Sequence, residues 1–251
     1  MIRYLDQGIF PDGPADALYV RARCLWELHA PLGLADGWVQ ADRDSRATGW
    51  LCRLQDRLTV ACLPCANQDE LASFVSFLGV EEVLAPTWVD LPGRIVSYGG
   101  MFKPPVETAA QIDRRLWEET TPAGEIHAFL SLCESDSLHL PGRDGFVADV
   151  ALRRRLRRCH TLAMRQNGEL TAVALTTAEA AGSALIGGLA VRPDQRGQGL
   201  GRRLLNALTL CLQSDGSRVF LLAADSLRPY YAALGWIPDG EWQIRKKDGV
   251  L

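Results

Sequence analysis

The run Leu189-Ala190-Val191-Arg192-Pro193-Asp194-Gln195-Arg196-Gly197-Gln198-Gly199-Leu200-Gly201 constrains the fold more than any other stretch of this chain. It reads as an apolar strand, a short turn and a glycine-rich entry into a helix. Glycines at 197, 199 and 201 leave no side chains between backbone N–H groups and an anion, and the helix beginning there adds the positive end of its dipole. Arg196 places a formal charge beside them. A dinucleotide fingerprint needs Gly-x-Gly-x-x-Gly, but Arg202 stands three residues after Gly199, and the Gly-Lys-Ser/Thr of a nucleotide-triphosphate loop is absent. Taken alone, a Gly-x-Gly of this kind is most often only a turn between a strand and a helix.

A second motif lies some thirty residues on. Leu227-Arg228-Pro229-Tyr230-Tyr231-Ala232-Ala233-Leu234-Gly235-Trp236 follows the strand-like Arg218–Ala224 and puts glycine where a helix would end in the left-handed conformation. A tyrosine on such a helix is usually a core residue with a satisfied hydroxyl. The two motifs in this order, Arg-x-x-Gly-x-Gly after a Leu-Ala-Val strand end and then Tyr-x-x-Leu-Gly-aromatic, change that balance. Together they resemble the acyl-CoA signature of the GCN5-related N-acetyltransferases, the GNAT superfamily, over about residues 125–247.

The elements of the second half follow the order of that fold, an α/β class with a mixed sheet flanked by helices. Residues 125–134 and 148–158 have helical apolar spacing. Thr161–Gln166 and Glu169–Thr177 read as strands joined by Asn167-Gly168, a strong two-residue hairpin signal. A turn near Ala180-Ala181-Gly182 leads to a strand over Ser183–Val191, a helix from Gly199 to about Gln213, a strand over 218–224, a helix over 226–234 and a last strand over Glu241–Arg245.

The first half echoes the plan more faintly. Residues 49–54 and 57–63 flank a Gln55-Asp56 turn as a hairpin. Asn67, three residues before Glu70, has capping-box spacing for a helix whose apolar face is Leu71, Phe74, Val75 and Leu78 and whose end is Gly79. Residues 80–85 then read as a strand. No Arg-x-x-Gly-x-Gly precedes this helix, so the expectation is a degenerate GNAT-like domain without its own cofactor, with an unrelated α+β cap as the alternative. The domains expected are 1–120 and 121–251, joined through the Pro104-Pro105 region to Glu119.

Charge separates the same halves. Residues 1–120 carry 11 Lys+Arg against 17 Asp+Glu, net −6, and the remainder carries 16 against 13, net +3, so the half with the glycine loop is the basic one. Such asymmetry favours a polyphosphate ligand there, though screening limits its reach to about 10 Å. The arginine run at 153–158 has leucines at helical spacing and reads as a solvated helix face, which disfavours nucleic acid. No apolar run approaches the ~20 residues of a membrane span and the first residues have no hydrophobic targeting region, so a cytoplasmic protein is expected. Seven cysteines, an odd number, point to free thiols. Cys62-Leu63-Pro64-Cys65 has ligand spacing without a second pair, and two buried strand-end thiols are favoured over a metal site.

The resemblance implies acetyl-CoA as co-substrate, no metal, and direct attack of an amine on the thioester. Leu189, Ala190 and Val191 would hold the pantetheine arm and polarise the carbonyl through backbone groups, and Arg196, Gly197, Gln198, Gly199, Leu200 and Gly201 would hold the pyrophosphate. Tyr231 would protonate the leaving thiolate as general acid. The strand Ser183–Val191 contains no acid, so the general base is open among Glu179, Asp225 and a water chain. Asp225 is expected rather to cap the helix of Tyr231, and Ala224 stands where many relatives carry a CoA-contacting asparagine. The acceptor is expected to be an unidentified small-molecule or peptide amine. The alternatives are an acyl-CoA-binding sensor or scaffold without catalysis and, on the arginine run alone, an acyltransferase acting on RNA.

Overall fold

The computed structural model describes residues 1–6, 8–105, 120–133 and 140–247, so the expected linker through Glu119 lies outside the described residues apart from its start. The chain divides into two compact units. Met1–Met101 forms one with Leu222–Arg228 and Pro238–Leu251; Phe102–Leu221 forms the other with Pro229–Ile237. The division therefore falls near residue 101 rather than 120, and two later segments return to the first unit. No helix among the described residues is long and apolar enough to cross a membrane.

In the first unit, β1 (Ile2–Tyr4), β2 (Ala35–Ala41), β3 (Ala47–Leu54) and β4 (Arg57–Cys62) pair antiparallel in sequence order, with α1 (Ala17–His29) between β1 and β2. The two-residue turn between β3 and β4 works because Gln55 accepts φ +56°. Helix α2 (Gln68–Leu78) is capped as its spacing predicted: Asn67 Oδ1 accepts from the Glu70 amide at 3.0 Å, and Gly79 ends the helix at φ +61°. The return arm of the capping box is different. The Glu70 carboxylate accepts from the Ile2 amide and Gln40 Nε2, and the Asn67 amide donates to Gln40 Oε1. Buried Gln40 thus fills the position just before α2 with its own amide.

Strand β5 (Glu82–Pro86) runs parallel to β4 over three residue pairs, Arg57↔Glu82 to Thr59↔Leu84. Leu51, Val60, Leu71, Val75, Val83 and Ala85 close the core beneath it. Two strands were not legible at their full extent. The first is β6 (Arg94–Lys103), hidden by Gly99-Gly100; a Cβ at Gly99 would stand 1.9 Å from the Ala223 carbonyl oxygen, so glycine there answers a neighbour more than a hundred residues away. The second is the last strand, β11 (Ile237–Lys246), which begins four residues earlier than expected and pairs antiparallel with β5, from Trp242↔Pro86 to Lys246↔Glu82. The expectation of two buried thiols fails at one position: Cys62 is buried, its thiol pushed up to about 12 by desolvation, but Cys65 is exposed.

The second unit contains α3 (Ala123–Leu132), α4 (Arg143–Arg155), β7 (Thr161–Gln166), β8 (Glu169–Ala180), β9 (Ser183–Val191), α5 (Leu200–Ser214), the first four residues of β10 (Arg218–Ala224) and α6 (Arg228–Ala233) from Pro229 on; the end of β10 and the 3₁₀ turn at Asp225–Leu227 belong to the first unit. Strands β7, β8 and β9 are antiparallel neighbours, and β9 and β10 are parallel. Asn167 and Gly168 have φ of +54° and +85°, the pair of left-handed residues that a twisted hairpin requires. Hairpin, helix and parallel strand occur in the order β3-β4-α2-β5 in the first unit and β8-β9-α5-β10 in the second, so both units share one plan.

The arginine run is the expected solvated face only in part: Arg155 and Arg157 are exposed, but Arg153 and Arg154 are tied to the fold. Helix α4 starts five residues before the expected Ala148, because Phe146 and Val150 pack inward on Ile126, Phe129 and Leu130 despite the weak helix formers Asp144 and Gly145. Arg153 is 2% exposed, bonded to Asp149 and to the Thr176 carbonyl at 2.6 Å. Arg154 donates to the Thr121 carbonyl at 2.8 Å.

Candidate functional site

Strand β9 is straight only at its start. Its parallel pairing with β10 runs from Ser183↔Arg218 to Ile186↔Leu221 and ends there. On the β8 side the register shifts between Val173↔Ala190 and Leu175↔Gly187, which leaves Gly188 and Leu189 opposite one residue of β8. Such a bulge bends a strand and re-aims its backbone. Gly188 makes it possible: its φ is +57°, and a Cβ there would stand 2.4 Å from Leu175 Cδ2. The Gly187-Gly188 pair inside an apolar strand was the signal for this bulge.

The bent half of β9 delivers the chain to the glycine loop. After a 3₁₀ turn at Pro193–Gln195, Gly197 and Gly199 take φ of +79° and +75°, and nothing lies within 4 Å of where their side chains would begin. Gly199 is the N-cap of α5, and no side chain caps that helix. The first-turn amides of α5 have no helical acceptors. Two left-handed glycines in open space before an uncapped helix of 15 residues could hold an anion such as a diphosphate.

The other predicted residues fall around this loop. Leu189 and Val191 are half-buried and Ala190 is buried; Leu200 opens α5; Gln198 is exposed and donates to Gln195 Oε1 at 3.1 Å. Arg196 is exposed, and its Nε donates to the Val191 carbonyl at 3.2 Å. Cys133 Sγ, which sequence reasoning missed, approaches the same oxygen at 3.7 Å. The Val191 carbonyl is thus engaged, contrary to the expectation that it lies open.

Tyr231 on α6 is 7% exposed, its ring at 5.7 Å from that of Phe102, 5.2 Å from Tyr230 and 6.2 Å from Trp236. Desolvation, with the neighbouring Tyr230 adding to it, holds its hydroxyl well above the usual tyrosine range, so it is protonated at neutral pH. Gly235 ends the helix turn at φ +81°, as the motif requires, and the Trp236 amide returns to the Tyr231 carbonyl at 3.0 Å. Tyr230, also missed, places its hydroxyl against Gly201 at the start of α5. Tyr-Tyr at the motif position was the available signal.

The two candidate bases do other work. Glu179 pairs with Ala184 at the start of β9, seven residues from Val191 and so at the opposite end of the strand from the loop. Its carboxylate accepts from the His160 amide at 2.9 Å, from His160 Nδ1 at 2.9 Å and from the Thr176 hydroxyl; His160 Nε2 faces Asp215 at 3.2 Å. Burial opposes ionisation of Glu179, but the bonds from His160 and Thr176 outweigh it and hold its carboxyl below the ordinary 4.5. The bond to Glu179 raises His160 above its ordinary 6.5 against a smaller desolvation effect. Asp225 does not cap α6. It pairs with Arg228 Nε at 2.6 Å, and Arg228 also reaches Glu241 at 2.8 Å.

Pairing makes the stability of this corner depend on pH. Glu179, depressed in the fold, contributes stability above about 4.5 that is lost as pH falls through its folded value; His160, raised, contributes below about 6.5 what is lost as pH rises through its folded value. Glu179→Gln is expected to lower stability by about 1–2 kcal/mol in the window between those values and by less at pH 9. Urea unfolding at pH 5.5 and 9 measures it, and equal losses at both pH values would contradict the pairing.

Residues 143–250 match the family model described as an acetyltransferase (GNAT) domain. That segment is similar to a GNAT domain. No curated protein matches the sequence. Among solved structures, the GNAT-family acetyltransferase of Colwellia psychrerythraea is similar at 13% identity over 98% of this chain and all of the other, with a TM-score of 0.56. The GCN5-related N-acetyltransferase of Kribbella flavida is similar at 15% identity, 90% and 96% coverage and a TM-score of 0.54. A Drosophila protein shares 13% identity over 99% of both chains at a TM-score of 0.65. At these identities the likeness is one of fold, and it extends across both units. The matched segment contains the bulged β9, the glycine loop, α5 and Tyr231, so the family match and the candidate site coincide.

Proposed function

We propose that this protein is an acetyl-CoA-dependent N-acetyltransferase. The observation that carries the reading is the pair of left-handed glycines, 197 and 199, opening in free space onto an uncapped helix N-terminus in the same unit as a buried, protonated tyrosine. The loop amides and Arg196 hold the diphosphate of the acyl-CoA. The bulge at Gly188-Leu189 frees backbone of β9 to position the pantetheine arm and to stabilise the oxyanion formed when an amine attacks the thioester carbonyl. Tyr231 then donates its proton to the departing thiolate. Neither Glu179 nor Asp225 serves as the base, since one lies at the far end of β9 and the other is tied to Arg228, and deprotonation of the amine passes to water.

The lack of an acidic side chain on β9 favours one second reading, an acyl-CoA sensor that binds without transferring. Calorimetric titration with acetyl-CoA, followed by thiol release with a panel of amines, separates the two. The expected result is binding of one acetyl-CoA per chain and amine-dependent release of free thiol. Binding with no thiol release from any amine would favour the sensor, and absence of binding would remove both readings.

A further inference from the structure

The glycine at 201 has a different reason from those at 197 and 199. Its φ is ordinary and it lies inside α5, but a Cβ there would stand 3.0 Å from the Tyr230 hydroxyl and 3.4 Å from Val191 Cγ2. In an α-helix each Cα–Cβ bond tilts toward the N-terminus. The hydroxyl therefore stands beside the first turn of α5, the turn whose amides have no helical acceptors. Tyr230 is 38% exposed and its hydroxyl has no hydrogen-bond partner among the described residues. Burial of its ring raises the phenol above its ordinary value of 10.0, only partly countered by Arg202, so the group is a donor at neutral pH. A hydroxyl donor thus stands beside backbone donors of the same helix turn.

We propose that the Tyr230 hydroxyl is a binding group for the diphosphate of the acyl-CoA, and that residue 201 is glycine to leave room for it. The inference rests on the acyl-CoA reading of the loop. It divides the work of two adjacent tyrosines: Tyr230 binds the co-substrate through its phosphates, and Tyr231 acts at the thioester. A hydroxyl bonded to a charged phosphate oxygen contributes more than one bonded to a neutral acceptor.

The test is calorimetric titration of the wild-type protein, Tyr230→Phe, Gly201→Ala and the double variant with acetyl-CoA and with ADP, a probe that keeps a diphosphate and lacks the thioester arm. Tyr230→Phe is expected to weaken both ligands about tenfold, with kcat at saturating acetyl-CoA unchanged within about twofold. Gly201→Ala shifts the hydroxyl by a few tenths of an ångström, so it should weaken binding modestly when made alone and add nothing when made on top of Tyr230→Phe, a non-additivity that a merely structural defect would not produce. Wild-type binding with an unaltered Kd for Tyr230→Phe, or full additivity of the two changes, would overturn the inference while leaving the acyl-CoA reading in place. No binding by the wild-type protein would overturn the acyl-CoA reading itself.

Discussion

Tyr231→Phe should lower kcat by about 10²–10⁴-fold, the range spanned by loss of a positioned general acid, and leave the Kd of acetyl-CoA nearly unchanged. The substitution deletes one oxygen from a ring packed against Phe102, Tyr230 and Trp236, so the apolar contacts that hold α6 persist. Since the side chain is 7% exposed and its hydroxyl has no hydrogen-bond partner among the described residues, removing the oxygen orphans no neighbouring group, and stability should hold within about 1 kcal/mol. An effect on kcat and kcat/KM together, without an effect on Kd, is the signature of an interaction made only as the thiolate departs. Single-turnover kinetics paired with calorimetry would measure it. An unchanged rate would show that the thiolate leaves without this proton, and Tyr231 would then be a packing residue.

The second large effect is expected at Gly199. Glutamate there meets no neighbour, because nothing lies within 4 Å of the position of its Cβ; the cost to the fold is the left-handed φ of +75°. That cost is about 1–2 kcal/mol, partly offset by an acidic group at a helix N-terminus. Stability should therefore fall by only roughly 2–4 °C in Tm. The carboxylate, however, occupies the anion cradle and opposes a diphosphate with like charge, which costs several kcal/mol. Acetyl-CoA binding should weaken by at least about 100-fold, close to 2.7 kcal/mol. Calorimetry beside thermal unfolding distinguishes this from misfolding. If Gly199→Glu binds as the wild-type protein does, the loop is a turn and the diphosphate site lies elsewhere.

The elements most legible in the sequence were those whose signals are local. Strands β7, β9 and β10 stand at their expected bounds, because turn residues with left-handed φ, Asn167-Gly168 and Gly182 among them, fix where each begins or ends. The cap of α2 was equally clear, since Asn67 and Glu70 are three residues apart. Less legible were features whose cause lies far away in the chain. Strand β6 holds two glycines that read as a break until the Ala223 carbonyl is seen against Gly99. Helix α4 begins with poor helix formers, and only packing on α3 overrides their propensity. Glu179 looked available to the chemistry because a hairpin residue in sequence has no visible partner; His160, nineteen residues earlier, is what engages it.

Local chemistry alone pointed to the proposed anion cradle of this protein. Glycines at 197 and 199 and an uncapped helix behind them act through backbone conformation and the helix dipole, which depend on neighbours in the chain. The proposed acid was nominated by a pattern equally local, a tyrosine four residues before a capping glycine. Tertiary structure alone decided the rest: the bulge that turns β9 off its partner, the burial that keeps Tyr231 protonated, the diversion of Glu179 and Asp225 into ion pairs, and the return of β11 to the first unit. All but the Asp225–Arg228 pair, which spans three residues, are contacts between residues well apart in sequence, and their energy comes from desolvation and pairing that no local pattern encodes.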